Sequence, residues 1–294
     1  MTTEIFTDSY TLSNGVNIPK LGLGTWFIDD DKAAQAVIDA VGIGYRHIDT
    51  AQAYENERGI GEGVRKCGIA RNDLFITSKL AAEAKTYDEA VRAIDETLAK
   101  MNIEYLDLML IHSPQPWADF RGGDYSAGNR DAWRALEDAY KAGKLRAIGV
   151  SNFKQGDIDN ILRDCTVKPM VNQLLVHISN TPTDLISYSQ SVGMVVEAYS
   201  PIAHGKILDV PTITDMAKKY GVFVPQLCIR YTIQLGCVSL PKTANPAHMR
   251  DNAGIDFTIE DADMDALKNV KPIDNYGESV SYTHLRAHET RGNL

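Results

Sequence analysis

Eight short apolar runs alternate with amphipathic segments along most of the chain. Parallel strands need a crossover between them, so this alternation predicts an α/β protein built as a (β/α)8 TIM barrel. Length agrees, because 294 residues matches the roughly 250 plus insertions that such a barrel takes. Composition agrees too: 44% hydrophobic and 23% charged residues is that of a globular chain with a sizeable core.

The elements follow in order. Ser13-Asn14-Gly15 between two short alternating runs reads as the turn of an N-terminal β-hairpin. Barrel strands are expected at 21–24, 45–48, 74–78, 106–111, 147–150, 170–172, 195–198 and 238–240. Helical periodicity is plain at 32–41, 88–101 and 131–142, the last stopped by Gly143. Two connections are longer than the rest: 113–130, rich in Pro, Gly, Trp and Asp, and 201–210 after the seventh barrel strand. Long loops at the C-terminal face of a barrel usually build its site.

A formal net charge of -9 argues against nucleic acid and anionic lipid as partners. Cys67, Cys165, Cys228 and Cys237 form no C-x-x-C pair, which fits a reducing compartment. Residues 1–8 have no cationic start leading into an apolar run, and no stretch is long enough to span a membrane, so a cytoplasmic protein is expected; a monomer is expected as its working unit. The barrel is expected over 1–280. Residues 281–294 differ in composition, resemble translated adapter sequence and are read as a non-native tail. His284 and His288 in that tail are spaced i, i+4 with Glu289 following, but no third internal ligand is evident and no metal is expected.

Three expected strands lead into titratable residues: Asp49, Lys79 and His112. In a barrel the C-terminal strand ends share one mouth, so the three converge, and Tyr54 lies in the loop after Asp49. Singly they read as a helix cap, a solvated strand end, a core histidine and loop packing; jointly they read as a proton-transfer site for a carbonyl oxygen. A phenol is a weak acid at neutral pH, and Lys79 is expected to favour its ionised form while Asp49 keeps the ammonium charged. His112 can hydrogen-bond the substrate oxygen or relay the proton. No G-x-S-x-G nucleophile is present. Gly22-Leu23-Gly24, Gly42-Ile43-Gly44 and Gly59-Ile60-Gly61 lack the third glycine of a dinucleotide fingerprint, and no G-x-x-x-x-G-K-[ST] occurs. Acid-base groups without a nucleophile call for a hydride donor, held here by barrel loops.

The segments His47-Ile48-Asp49-Thr50-Ala51 with Tyr54 and Asn56-Glu57, Ile76-Thr77-Ser78-Lys79-Leu80, Leu110-Ile111-His112-Ser113-Pro114, Gly149-Val150-Ser151-Asn152-Phe153, Tyr199-Ser200-Pro201 and Leu240-Pro241-Lys242-Thr243 resemble, in order, the motifs of the aldo-keto reductase family, bacterial reductases of small carbonyl compounds and keto-sugars in particular. The resemblance implies an NAD(P)H-dependent oxidoreductase that reduces aldehydes, ketones or keto-sugars, with Tyr54 as proton donor, Lys79 and Asp49 tuning it, and His112 orienting the carbonyl. It implies that Ser151, Asn152 and Gln173 bind the nicotinamide carboxamide, that Tyr199 stacks on the ring, and that Thr25 and Asp49 touch the ribose. Ser200 and Ile202 would cover the pyrophosphate, Lys242 and Thr243 the 2′-phosphate, and Asn252 the adenine. Trp26, Trp117 and Ser113 would line the substrate pocket together with Tyr54 and His112.

Three positions depart from the family pattern. His248 stands where an arginine is common, with Arg250 two residues on; an imidazole offers a phosphate less than a bidentate guanidinium, so NADPH is expected with only modest preference over NADH. Leu175 replaces the glutamate of Asn-Gln-x-Glu, and the family's C-terminal loop is not found after about Gly277. The alternative is a cofactor-binding regulatory protein with little turnover; the intact Asp49, Tyr54, Lys79 and His112 favour an enzyme.

Overall fold

The computed structural model describes residues 4–273. The expected tail at 281–294, with His284, His288 and Glu289, and the boundary near Gly277 lie outside the described residues.

The hairpin comes first, strands β1 (Ser9–Thr11) and β2 (Asn17–Pro19) pairing antiparallel with Thr11 opposite Asn17. Gly15 turns the chain at φ +87, a conformation that an L side chain would strain. Leu12 and Ile18 are buried, joining the hairpin to the main core.

Eight parallel strands then follow in sequence order: β3 (Gly22–Gly24), β4 (His47–Asp49), β5 (Phe75–Leu80), β6 (Leu108–Ile111), β7 (Ile148–Ser151), β8 (Val171–Leu175), β9 (Val195–Tyr199) and β10 (Cys237–Leu240). The first and last meet at a seam where Gly24 N donates to Pro241 O at 3.0 Å and Ser239 N donates to Lys20 O at 2.8 Å. Gly22 permits that approach, since a Cβ there would sit 2.6 Å from Leu240 Cδ2. The sheet therefore closes into the expected barrel.

Around it lie α1 (Asp30–Ile43), α2 (Glu57–Lys66), α3 (Tyr87–Met101), α4 (Ser126–Lys141), α5 (Gln155–Leu162), α6 (Thr183–Ser191), α7 (Pro211–Tyr220), α8 (Val224–Gln234), α9 (Pro246–Ala253) and α10 (Asp261–Lys268). Local chemistry sets several starts. Thr86 and Glu89 form a reciprocal capping box on α3, and Asn245 Oδ1 accepts from Ala247 N to cap α9, which has Pro246 in its first turn. Gly59 lets α2 press against the start of α1, where a Cβ would meet the Asp30 carbonyl oxygen at 2.1 Å. That glycine serves helix packing.

The strand boundaries differ from expectation in one direction. Asp49, Lys79, Ser151, Gln173 and Tyr199 lie within strands rather than after them, because the parallel ladder continues past the last apolar residue when the polar side chains point into the barrel. At 113–130 the difference is opposite: α4 begins at Ser126, and a 3-10 turn at Trp117–Asp119 orders part of what remains. Among the described residues no helix is long and apolar enough to cross a membrane.

Candidate active site

Lys79 anchors the site. Its ammonium, on β5 and fully buried, donates to Asp49 Oδ1 at 2.6 Å, to the Thr50 carbonyl at 2.8 Å and to the Tyr54 hydroxyl at 3.3 Å. Burial pulls the lysine pKa down, but Asp49 and then Tyr54 more than offset this, and the net direction is up. Lys79 therefore stays charged.

Tyr54 ends a 3-10 turn, Gln52–Tyr54, which the Gln52 amide ties to the rest of the fold: Nε2 donates to Ala93 O at 2.7 Å and Oε1 accepts from Ala81 N at 2.7 Å. The tyrosine is half-buried. Burial raises its pKa, Lys79 lowers it, Asp49 raises it, and the balance is upward. Lys79 acts on the phenol in the expected direction, but desolvation outweighs it and the neutral phenol is favoured. The His112 ring stands edge-on to Tyr54 at 5.7 Å and to Trp117 at 5.3 Å.

A second network joins strands that are not neighbours in the sheet, so it crosses the barrel interior. Gln173 Nε2 on β8 donates to Asp49 Oδ2 on β4 and to Glu197 Oε2 on β9, both at 2.9 Å. Ser151 Oγ donates to the Gln173 carbonyl at 3.0 Å, Asn152 Nδ2 to Ser151 Oγ at 3.1 Å and to the His112 carbonyl at 3.0 Å, and the Tyr199 hydroxyl to Asn152 Oδ1 at 2.9 Å. Four of the expected cofactor contacts are thus linked to one another and to His112.

Above these groups opens a cleft of about 410 Å³ whose lining includes Thr25, Trp26, Asp49, Tyr54, Tyr199, Ser200, Ile202 and Lys242. Thr25 is held by its own hydroxyl, which donates to the Asp49 carbonyl at 2.9 Å. Trp26 forms a wall, its ring 6.4 Å from Tyr54 and 5.2 Å from His204, and the His204 ring lies 2.9 Å from Ser200 Oγ. Backbone strain gathers at this mouth: Phe27, Glu55, Asn152, Ser200, Ala203 and His204 all carry positive φ without being glycine. Such conformations persist where surrounding structure enforces them, commonly at sites.

Other expected residues fall elsewhere. Thr243 is buried, with its Oγ1 accepting from Asn245 N at 3.0 Å; His248 is exposed and Asn252 buried on α9, past the Lys242 end of the cleft. Ser113 is not brought to the cleft: it is fully buried, its Oγ accepts from Gln115 N at 3.3 Å, and its carbonyl accepts from Lys85 Nζ. The chain turns immediately after β6, and that turn consumes the hydroxyl. Sequence reasoning missed Phe27, His204 and Glu197. Phe27 is stacked on Trp26 at 4.3 Å and 57% exposed, and its one signal was an apolar residue before the acidic start of a helix. Glu197 carried a clearer one, a carboxyl inside the apolar run Val195-Val196-Glu197-Ala198.

Residues 20–272 match the model of the Aldo/keto reductase family. The chain is 40% identical over 262 residues to glyoxal reductase of Bacillus subtilis, covering 88% of this chain and 91% of that protein. It is 36% identical over 270 residues to morphine 6-dehydrogenase of Pseudomonas putida, covering 87% and 88%. The crystal structure of a Bombyx mori aldo-keto reductase in complex with NADP superposes with a TM-score of 0.81 at 33% identity, over 89% of this chain and 92% of that one. Barrel, ordered motifs and likeness over nearly nine-tenths of the length agree, and the chain belongs to the aldo/keto reductase family.

Proposed function

We propose that this enzyme reduces the carbonyl group of small aldehydes, ketones or keto-sugars with NADPH as electron donor, and that Tyr54 is its proton donor. The observation that carries the reading is the Tyr54 hydroxyl 3.3 Å from a buried ammonium that is itself clamped at 2.6 Å to Asp49, on the floor of an aromatic-walled cleft. The names of the relatives support it: one reduces glyoxal, and another was solved with NADP.

The residues present fit a nicotinamide dinucleotide. No described residue donates to Gln173 Oε1, which leaves an acceptor for a carboxamide N–H, Tyr199 lines the cleft beside it, and Lys242 offers a cation at the other end. When bound, the dinucleotide supplies the hydride. Tyr54 gives its proton to the carbonyl oxygen as negative charge develops there. Lys79 stabilises the phenolate left behind, and Asp49 keeps Lys79 charged. His112, backed by the buried Trp117 ring, hydrogen-bonds the carbonyl oxygen and sets its direction, while Trp26 narrows the space from the cleft wall. Ser151, Asn152 and Gln173 hold the carboxamide, Thr25 the ribose, Ser200 and Ile202 the pyrophosphate, and Lys242, Thr243, His248 and Asn252 the adenosine phosphate end.

The test follows NADPH absorbance with glyoxals, aldoses, aromatic aldehydes and diketones. Consumption with at least one class, lost in Tyr54→Phe, is the expected result; no consumption with any of them contradicts the reading. Light scattering on the eluted protein checks the monomer that this reading takes as the working unit.

A further inference from the structure

Glu197 is fully buried inside the barrel, on β9, and no step above uses it. Its carboxyl sits between two groups. Oε2 accepts from Gln173 Nε2 at 2.9 Å, while Oε1 lies 3.6 Å from His47 Nε2 and receives no hydrogen bond among the described residues. The Gln173 atom between Asp49 and Glu197 must be the amide nitrogen, because its two hydrogens match two acceptor oxygens and a carbonyl oxygen there would meet the Asp49 carboxylate head-on. Glu197 and Asp49 together fix which end of the amide is turned inward between them and which is left for a carboxamide.

We propose that Glu197 is a positioning residue for carbonyl reduction: as a neutral acid it holds the Gln173 amide in register with Asp49, and on ionising it upsets the Asp49–Lys79–Tyr54 charge balance. The inference rests on the reductase reading. The surrounding charges support it. From β4, Asp49 and His47 face Glu197; from β5, Lys79 and Thr77; from β8, Gln173; and from β10 the residue in register is Val238, which does not ionise. Lys79 is committed to Asp49, and burial, aided by Lys79, pushes the His47 pKa down to about 3, so no free cation meets Glu197. Burial first, then Asp49, pushes the Glu197 carboxyl up to about 8. Below that pH one carboxylate balances one ammonium. Above it a second anion stands beside Asp49, pulls on the shared amide and opposes the phenolate that Tyr54 must become.

The sign for stability follows from the same shift. A carboxyl whose folded pKa is raised costs nothing while both states are protonated; the cost grows as pH climbs from the ordinary carboxylic range to about 8, then levels off. Glu197→Gln copies the neutral acid. In the wild type, kcat should fall above about pH 8, whereas Glu197→Gln should match it at pH 6.5 and lack that fall. Its apo form should melt higher than wild type by a margin that widens between pH 5 and pH 8. Glu197→Leu, with the acceptor gone, should lose about tenfold in kcat and about tenfold in NADPH affinity by fluorescence titration, the size of one lost orienting hydrogen bond. An unchanged alkaline fall in Glu197→Gln with a melting margin flat in pH, or wild-type kcat and affinity in Glu197→Leu, overturns the proposal. A wild type that neither binds NADPH nor turns over carbonyls overturns the reductase reading and this inference together; a working wild type with indifferent variants overturns this inference alone.

Discussion

Between the barrel strands and the outer helices the buried side chains are mostly apolar, with Ile76 of β5, Leu136 and Trp133 of α4 at 2% exposure or less. Inside the barrel, His47, Asp49, Thr77, Lys79, Gln173 and Glu197 are polar or ionisable and buried to 3% exposure or less. The outer layer holds the molecule by area, and area is forgiving: a lost methyl group costs in proportion to the space it leaves. The interior holds by partnership. Lys79 answers Asp49, Asp49 and Glu197 share Gln173, and removing any member strands a buried polar or charged group. Stability is concentrated in the first region and chemistry in the second, so variants in the two should fail differently.

Lys79→Met should break the comparison most sharply. It leaves the Asp49 carboxylate buried and unpaired, so unfolding free energy by urea titration should drop by about 3–5 kcal/mol, and turnover should be lost as well. Equal stability to wild type would show that Asp49 finds another cation. Tyr54→Phe should separate the two properties: kcat should fall on the order of 1000-fold, since the proposed general acid is gone, while NADPH binding and melting temperature stay near wild type. Loss of dinucleotide binding in that variant would move Tyr54 from chemistry to cofactor recognition. On the apolar side, Leu136→Ala should cost about 3 kcal/mol through its cavity, and kcat per folded molecule should not change. A parallel fall in kcat would mean that the outer layer tunes the site. Smallest of all, His248→Arg, at the exposed end of the proposed cofactor path, should tighten NADPH relative to NADH by about tenfold by adding a charge-assisted contact. The ratio of the two dissociation constants measures it, and an unchanged ratio would place the phosphate on another cation.

Alternating apolar runs made the barrel legible, and the residues closing those runs made the proposed proton-transfer group legible: Asp49, Lys79 and His112 come directly after apolar stretches of sequence, and a barrel brings such ends together. Ser113 misled because a hydroxyl beside a site residue reads the same whether it faces a cleft or caps a turn; only the path of the chain after β6 distinguishes them. Phe27 and His204 were illegible because their place at the mouth depends on left-handed backbone that neither residue favours.

Residue type and spacing by themselves determined the fold class, the hairpin, and which ionisable groups gather at one face, since strand alternation and crossover length are local properties of the chain. Tertiary structure alone decided which way Tyr54 and Glu197 are shifted. Desolvation depends on everything packed around a group, and it overrides the nearest charge for Tyr54, whose neutral form is favoured despite Lys79. For Glu197 it makes a neutral partner of a residue that, read in one dimension, is only a misplaced charge in an apolar strand.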